Sequence, residues 1–102
     1  MTIQKAKEVI AVEARAVADL GGRINRNFLK AVDLITKCKG RVIVAGMGKT
    51  GIIGRKIAAT FSSTGTPSLW MHSTEAIHGD LGQVTRNDVV IIISSSGETE
   101  ET

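Results

Sequence analysis

The stretch VIVAGMGKTGIIGRK, Val42 to Lys56, decides the fold. It reads as a buried strand, a glycine-rich turn and the start of a helix, the opening unit of an α/β protein. Gly46, Gly48 and Gly51 spell the dinucleotide fingerprint G-x-G-x-x-G, and Gly48-Lys49-Thr50 looks like the end of a P-loop. A P-loop ending there needs a glycine at position 43, in G-x-x-x-x-G-K-[ST]. That residue is Ile43, inside the strand, so the P-loop fails on spacing. The dinucleotide reading needs an acidic residue closing the second strand, to hold the ribose hydroxyls. That strand closes with Met71-His72-Ser73, and Glu75 lies beyond it. What survives is a glycine turn at the carboxyl end of a central strand. The helix N-terminus there favours anions, and Lys49 projects into the crevice. The plainer alternative is a tight turn in which Gly51 and Gly54 pack helix on sheet while Lys49 faces solvent.

Working outward, apolar residues recur at helical spacing from Ile3 to Leu20, with Ile3, Ile10 and Val17 seven apart. Gly21-Gly22 interrupts, and a second helix is predicted from about Ile24 to Lys37. Arg41 to Ala45 reads as a strand buried on both faces. A helix from Thr50 to about Ser63 follows, with Ile52, Ile53, Ile57 and Phe61 able to face the sheet and Ala58 and Ala59 permitting close approach. Gly65-Thr66-Pro67 stops it. Ser68 to His72 is the second strand, Ser73 to Ile77 a short helix, and Val89 to Ile93 an apolar third strand. The order ααβαβαβ implies a parallel sheet with right-handed crossovers. The predicted class is α/β, a parallel-sheet αβα sandwich of flavodoxin-like kind. A helical lead-in spans 1–40 and a βαβαβ core spans 41–102. The closing SSSGETEET reads as a loop and a first helical turn, so the chain is expected to be the N-terminal part of a longer domain.

The chain has 102 residues, a net charge of +3 and only three aromatic residues, Phe28, Phe61 and Trp70. That charge is too mild and too scattered for nucleic acid, and stacking aromatics are scarce. It suits a small anionic ligand. Cys38 is the only cysteine, so no internal disulfide can form and a reducing compartment fits. It reads as a small apolar residue near a helix end. The charged N-terminus lacks a signal-peptide apolar core, and the longest apolar run, Val89 to Ile93, cannot span a membrane. A cytoplasmic location is expected.

The other informative stretch is IIISSSGETEE. Hydroxyls and backbone N–H groups at a strand–helix junction make a phosphate cradle without lysine. Ser94, Ser95, Ser96 and Thr99 supply the hydroxyls. Capping by Ser96 explains one serine well and three poorly. Glu98, Glu100 and Glu101 are first-turn carboxylates, any one of which could face the crevice as a base. His72 closes the second strand and His78 lies in EAIHGDLG; six residues apart, they match no familiar zinc motif. Both sit at strand ends or in the loops beyond, where ligands bind in this architecture, and His78 could be oriented by Asp80.

GMGKTGIIGRKIAATFSSTGTPS, EAIHGDLG and SSSGETEE, in that order and spacing, resemble the SIS (sugar isomerase) domain, and within it the bacterial arabinose 5-phosphate isomerases. The three stretches lie between Gly46 and Glu101. The resemblance implies a phosphosugar-binding αβα sandwich, usually in oligomers with a tetramer common. It also implies interconversion of arabinose 5-phosphate and ribulose 5-phosphate for the acid sugar Kdo of lipopolysaccharide or capsule. Lys49 falls on the family's active-site lysine, His78 on an active-site histidine and Glu101 on a functional glutamate. Ser94, Ser96 and Thr99 fall on the phosphate-binding loop. Gly65, Thr66 and His72 match positions near the sugar, and His72 one where a metal has been associated. No cofactor is required, and a divalent metal would act adventitiously or as an inhibitor.

Thr50, Ser73 and Ser95 stand where relatives commonly carry serine, proline and asparagine. The resemblance also implies later strands with a further glutamate and histidine expected in catalysis, and in many members a CBS pair, none of which is in these 102 residues. The fragment alone is expected to be inactive. The rival readings are a non-catalytic phosphosugar sensor, which needs the serine loop but neither Lys49 nor His78, and a nucleotide-dependent enzyme, which the missing acid disfavours.

Overall fold

The computed structural model describes residues 2–73 and 79–94. Among these, the chain forms α1 (Ile3–Asp19), a short 3-10 turn (Leu20–Arg23), α2 (Arg26–Thr36), β1 (Val42–Gly46), α3 (Gly48–Ser63), β2 (Ser68–His72), a second 3-10 turn (Asp80–Gln83) and β3 (Val89–Ile92). As far as the described residues go, the helices and strands follow the expected order. The two 3-10 turns are additions, since four residues carry too little periodicity to read. Beyond Ser73, the short helix expected to Ile77 lies outside the described residues.

The chain divides into two compact units, Met1–Asp33 and Leu34–Thr102. In the first, Thr2 caps α1 by accepting from the Lys5 amide at 3.1 Å. No residue of α1 is buried, and its apolar stripe of Ile3, Ile10 and Val17 stands exposed.

In the second unit the three strands run parallel in the order β2-β1-β3. β1 lies in the middle and all five of its residues are buried. Val42, Val44 and Ala58 form the centre of the core, against which Ile35, Cys38, Ile57, Phe61, Trp70, Ile91 and Ile93 pack. Ile43, which alternation directs to the opposite face, has no exposed surface either.

α3 meets the sheet through its smallest residues, Gly51, Gly54 and Ala58. Ile52 and Ile53, expected to face the sheet, are instead 70% and 56% exposed. The reason is steric. A Cβ at Gly54 would lie 3.2 Å from Val44 Cγ1 and 3.3 Å from Trp70 Cδ1, so this face has no room for large side chains near the helix start. Ile57 and Phe61 do reach the core. The third strand also departs from expectation. Its burial alternates: Ile91 and Ile93 pack on the core, while Val90 and Ile92, on the opposite face, are exposed.

The amino edge of the sheet is tied by Asp88. Its carboxylate accepts from the Arg41 amide at 2.7 Å and the Thr85 amide at 2.8 Å, and the Gly40 amide donates to Asn87 O at 2.8 Å. A Cβ at Gly40 would collide with Asp88 and the Asn87 backbone, which explains glycine there. The Cys38 thiol sits beside Arg41 O and Asn87 O, as a small residue filling a helix end.

Candidate functional site

The register brings three of the candidate groups to one edge. Gly46, the last residue of β1, pairs with His72, the last of β2. Ala45 pairs with Ile92, and the Ile93 amide donates to Ala45 O at 2.9 Å, so Ser94 begins the loop beyond the same edge. The glycine turn with Lys49, His72 and Ser94 therefore share the carboxyl edge of the sheet. With strand order β2-β1-β3, the chain passes from β1 to β2 on one side and then crosses to β3 on the other, and a ligand crevice is expected where the order reverses.

The turn is closely built. A Cβ at Gly46 would lie 3.1 Å from the Gly51 amide and from the Thr50 carbonyl, so β1 and α3 touch backbone to backbone. Met47 is extended, and Gly48 takes φ +60°, a left-handed conformation that glycine adopts without strain. α3 starts at Gly48, two residues earlier than expected, so Lys49 stands in the first helical turn rather than in the loop before it. Lys49 is exposed and the first turn holds no acidic residue. A cation there opposes the helix macrodipole. Ammonium group and helix end together make a locally positive surface suited to an anion. The plainer account, glycines packing helix on sheet, explains Gly51 and Gly54; it gives no reason for lysine at this position.

His72 is half-buried, its ring edge-on to Trp70 at 5.7 Å and 79°. The Arg55 guanidinium lies 5.3 Å over the same indole, a second cation near this edge that the sequence reading does not single out. Trp70 Nε1 is buried without a hydrogen-bond partner among the described residues. Among those residues no group of three or more His, Cys, Asp or Glu could hold a metal ion, so they make no metal site around His72.

Gly65 and Thr66 lie elsewhere. They follow α3 and precede β2, with Gly65 at φ +96° and the Thr66 amide donating to Phe61 O at 2.8 Å. That is the amino edge of the sheet, a strand of five residues or roughly 16 Å from His72. Within this chain they are not brought together with Lys49, His72 and Ser94. His78, Ser96, Thr99 and Glu101 lie outside the described residues. No helix among the described residues is long and apolar enough to cross a membrane.

The SIS domain matches residues 34–102, more than half of the chain and the whole of the second compact unit. The chain belongs to the SIS family. The arabinose 5-phosphate isomerase KdsD of Shigella flexneri is 58% identical over 98 residues, which are 96% of this chain and 30% of that protein. A solved structure of Escherichia coli CFT073 c3406 in complex with arabinose 5-phosphate is 46% identical, with a TM-score of 0.87 over 99% of this SIS chain and 56% of that one. A Bacteroides fragilis protein described as a phosphosugar isomerase involved in capsule formation is 43% identical, with a TM-score of 0.91 over 97% and 53%. The chain thus spans about a third of the curated relatives' length and just over half of the solved ones. The parallel α/β architecture is that of the SIS phosphosugar isomerase structures.

Proposed function

We propose that the protein carrying this chain is a sugar-phosphate isomerase interconverting D-arabinose 5-phosphate and D-ribulose 5-phosphate. In this reading it supplies Kdo synthesis for lipopolysaccharide or capsule and works in the cytoplasm as a homo-oligomer. The observation that carries the reading is the strand register. It sets the Lys49 turn, His72 and the first residue of the serine loop on one edge, in a chain similar to proteins named for this reaction.

The reaction is a proton transfer. A base removes the proton from the carbon next to the carbonyl, and the electron pair moves onto the carbonyl oxygen to give an enediolate. A proton then returns to the neighbouring carbon, while a second group carries protons between the two oxygens. No cofactor takes part. Lys49 stabilises the enediolate charge as a positioned cation. His78 serves ring opening and oxygen proton transfer, and Glu101 acts as base or orients it. Ser94, Ser96 and Thr99 hold the phosphate, a remote handle whose binding orients the reacting end.

The test is conversion of arabinose 5-phosphate to ribulose 5-phosphate by the protein carrying this chain. Turnover supports the reading. Tight phosphosugar binding with no turnover replaces it with the non-catalytic sensor, and neither binding nor turnover removes both.

A further inference from the structure

Lys49 would need a fixed direction to act on one oxygen of a small sugar, yet it is an exposed, flexible side chain at a glycine turn. Its neighbour supplies what could fix it. Thr50 Oγ1 donates to Met47 O at 2.7 Å and accepts from the Met47 amide at 3.2 Å. One hydroxyl thus holds both backbone polar groups of the residue before the turn. Met47 O also receives the Gly51 amide at 3.2 Å. Gly48, between the clasped residues, has nothing within 4 Å of where its Cβ would be and is left-handed, so sterics at that residue do not hold the turn. The constraint comes from Thr50 on one side and the Gly46–Gly51 backbone contact on the other.

We propose that Thr50 is a positioning residue for the isomerisation, its hydroxyl clasping Met47 and so setting the direction in which Lys49 enters the crevice. The proposal rests on the role given to Lys49 above. A hydroxyl that only capped the helix would contribute stability alone. A hydroxyl that aims a catalytic cation would contribute chiefly to the chemical step, because small misplacements of a reacting group cost rate out of proportion to their energy.

The experiment compares Thr50→Val, which keeps the branched shape and loses the hydroxyl, with Thr50→Ser, which keeps the hydroxyl, each with and without Lys49→Ala, in the protein carrying this chain. The expected result is a kcat lowered about tenfold or more by Thr50→Val with KM changed far less, on the scale of a displaced catalytic group. Thr50→Ser should restore kcat to near the parent value. In the Lys49→Ala background, Thr50→Val should have no further effect on kcat, because residues that act as a unit are non-additive. Thermal melts of every variant separate loss of fold from loss of rate. An equal loss from Thr50→Val in both backgrounds overturns the proposal, as does a lowered melting point with kcat intact. If Thr50→Val fails to fold, the serine variant decides: a Thr50→Ser enzyme as slow as Lys49→Ala overturns it. A parent protein with no turnover removes the proposed function and this inference together, whereas an active parent indifferent to Thr50→Val removes this inference alone.

Discussion

Gly54 lies against Trp70, close enough that a single added carbon would sit 3.3 Å from the indole Cδ1 and 3.2 Å from Val44 Cγ1. Two effects oppose each other on substitution. Alanine gains about 1 kcal/mol in helix propensity. Pressing it against a Val44 with no exposed surface and a Trp70 held under Arg55 costs about 1–3 kcal/mol of overpacking. Gly54→Ala is therefore expected to lower the urea midpoint, and Gly54→Leu to lower it much further. Gly22→Ala, where nothing lies within 4 Å, should leave it unchanged or raise it. A stabilised Gly54→Ala would show that the interface yields.

Asp88 gives a pH-dependent prediction. Its side chain is 3% exposed and receives the amides of Arg41 and Thr85, with the Arg41 guanidinium at 3.9 Å. Those hydrogen bonds, Arg41 first, hold the carboxyl below the usual aspartate range against the contrary effect of burial. A carboxyl whose folded value lies below its unfolded one binds fewer protons when folded. Its stabilisation is complete above the unfolded value of about 3.9 and is lost as pH falls through it toward the folded value. Thermal melts from pH 7 to pH 3 should show Asp88→Asn less stable at neutral pH and less sensitive to acid than the parent. Parallel curves would contradict this.

Lys49→Ala is expected to lower kcat about 10²–10³-fold, the loss typical of removing one group that stabilises developing charge. Its melting point should not fall, because the lysine opposes the field of the helix it begins. An undiminished rate would take Lys49 out of the mechanism.

Ser96→Ala tests the phosphate loop. A hydrogen bond to a charged group contributes about 1.5–3 kcal/mol. Calorimetric titration with arabinose 5-phosphate should accordingly show affinity weakened roughly 10-fold to 100-fold. Unchanged affinity would reduce this serine to a helix cap.

Much of the core is legible without the structure. β1 and β2 can be read because an uninterrupted apolar run bounded by glycine and proline has few other interpretations. The inward face of α3 is easily misread because Ile52 and Ile53 look like core residues, and only the positions of Val44 and Trp70 show that there is no room for them. Sequence places Lys49 in a loop because a glycine pair hides a helix start; Thr50, three residues after Met47, is the capping signal that marks it. The placement of Gly65 and Thr66 is available in principle. In a parallel sheet, strand-to-helix junctions fall on the carboxyl edge and helix-to-strand junctions on the amino edge. Arg55 beside Trp70 depends on a helix crossing a strand, which no local pattern reveals.

The central place of β1 also bears on how the protein is made. Its residues come first, yet Val42 pairs with Ser68 on one side and Val89 on the other, 26 and 47 positions later. During translation at about 5–20 residues per second, this fully buried strand waits on the order of seconds for its second neighbour. Until then the margin that β3 will cover is open to other chains, a hazard of non-local pairing. The nascent protein is thus most vulnerable to aggregation before β3 leaves the ribosome, and a holding chaperone would engage it in that interval.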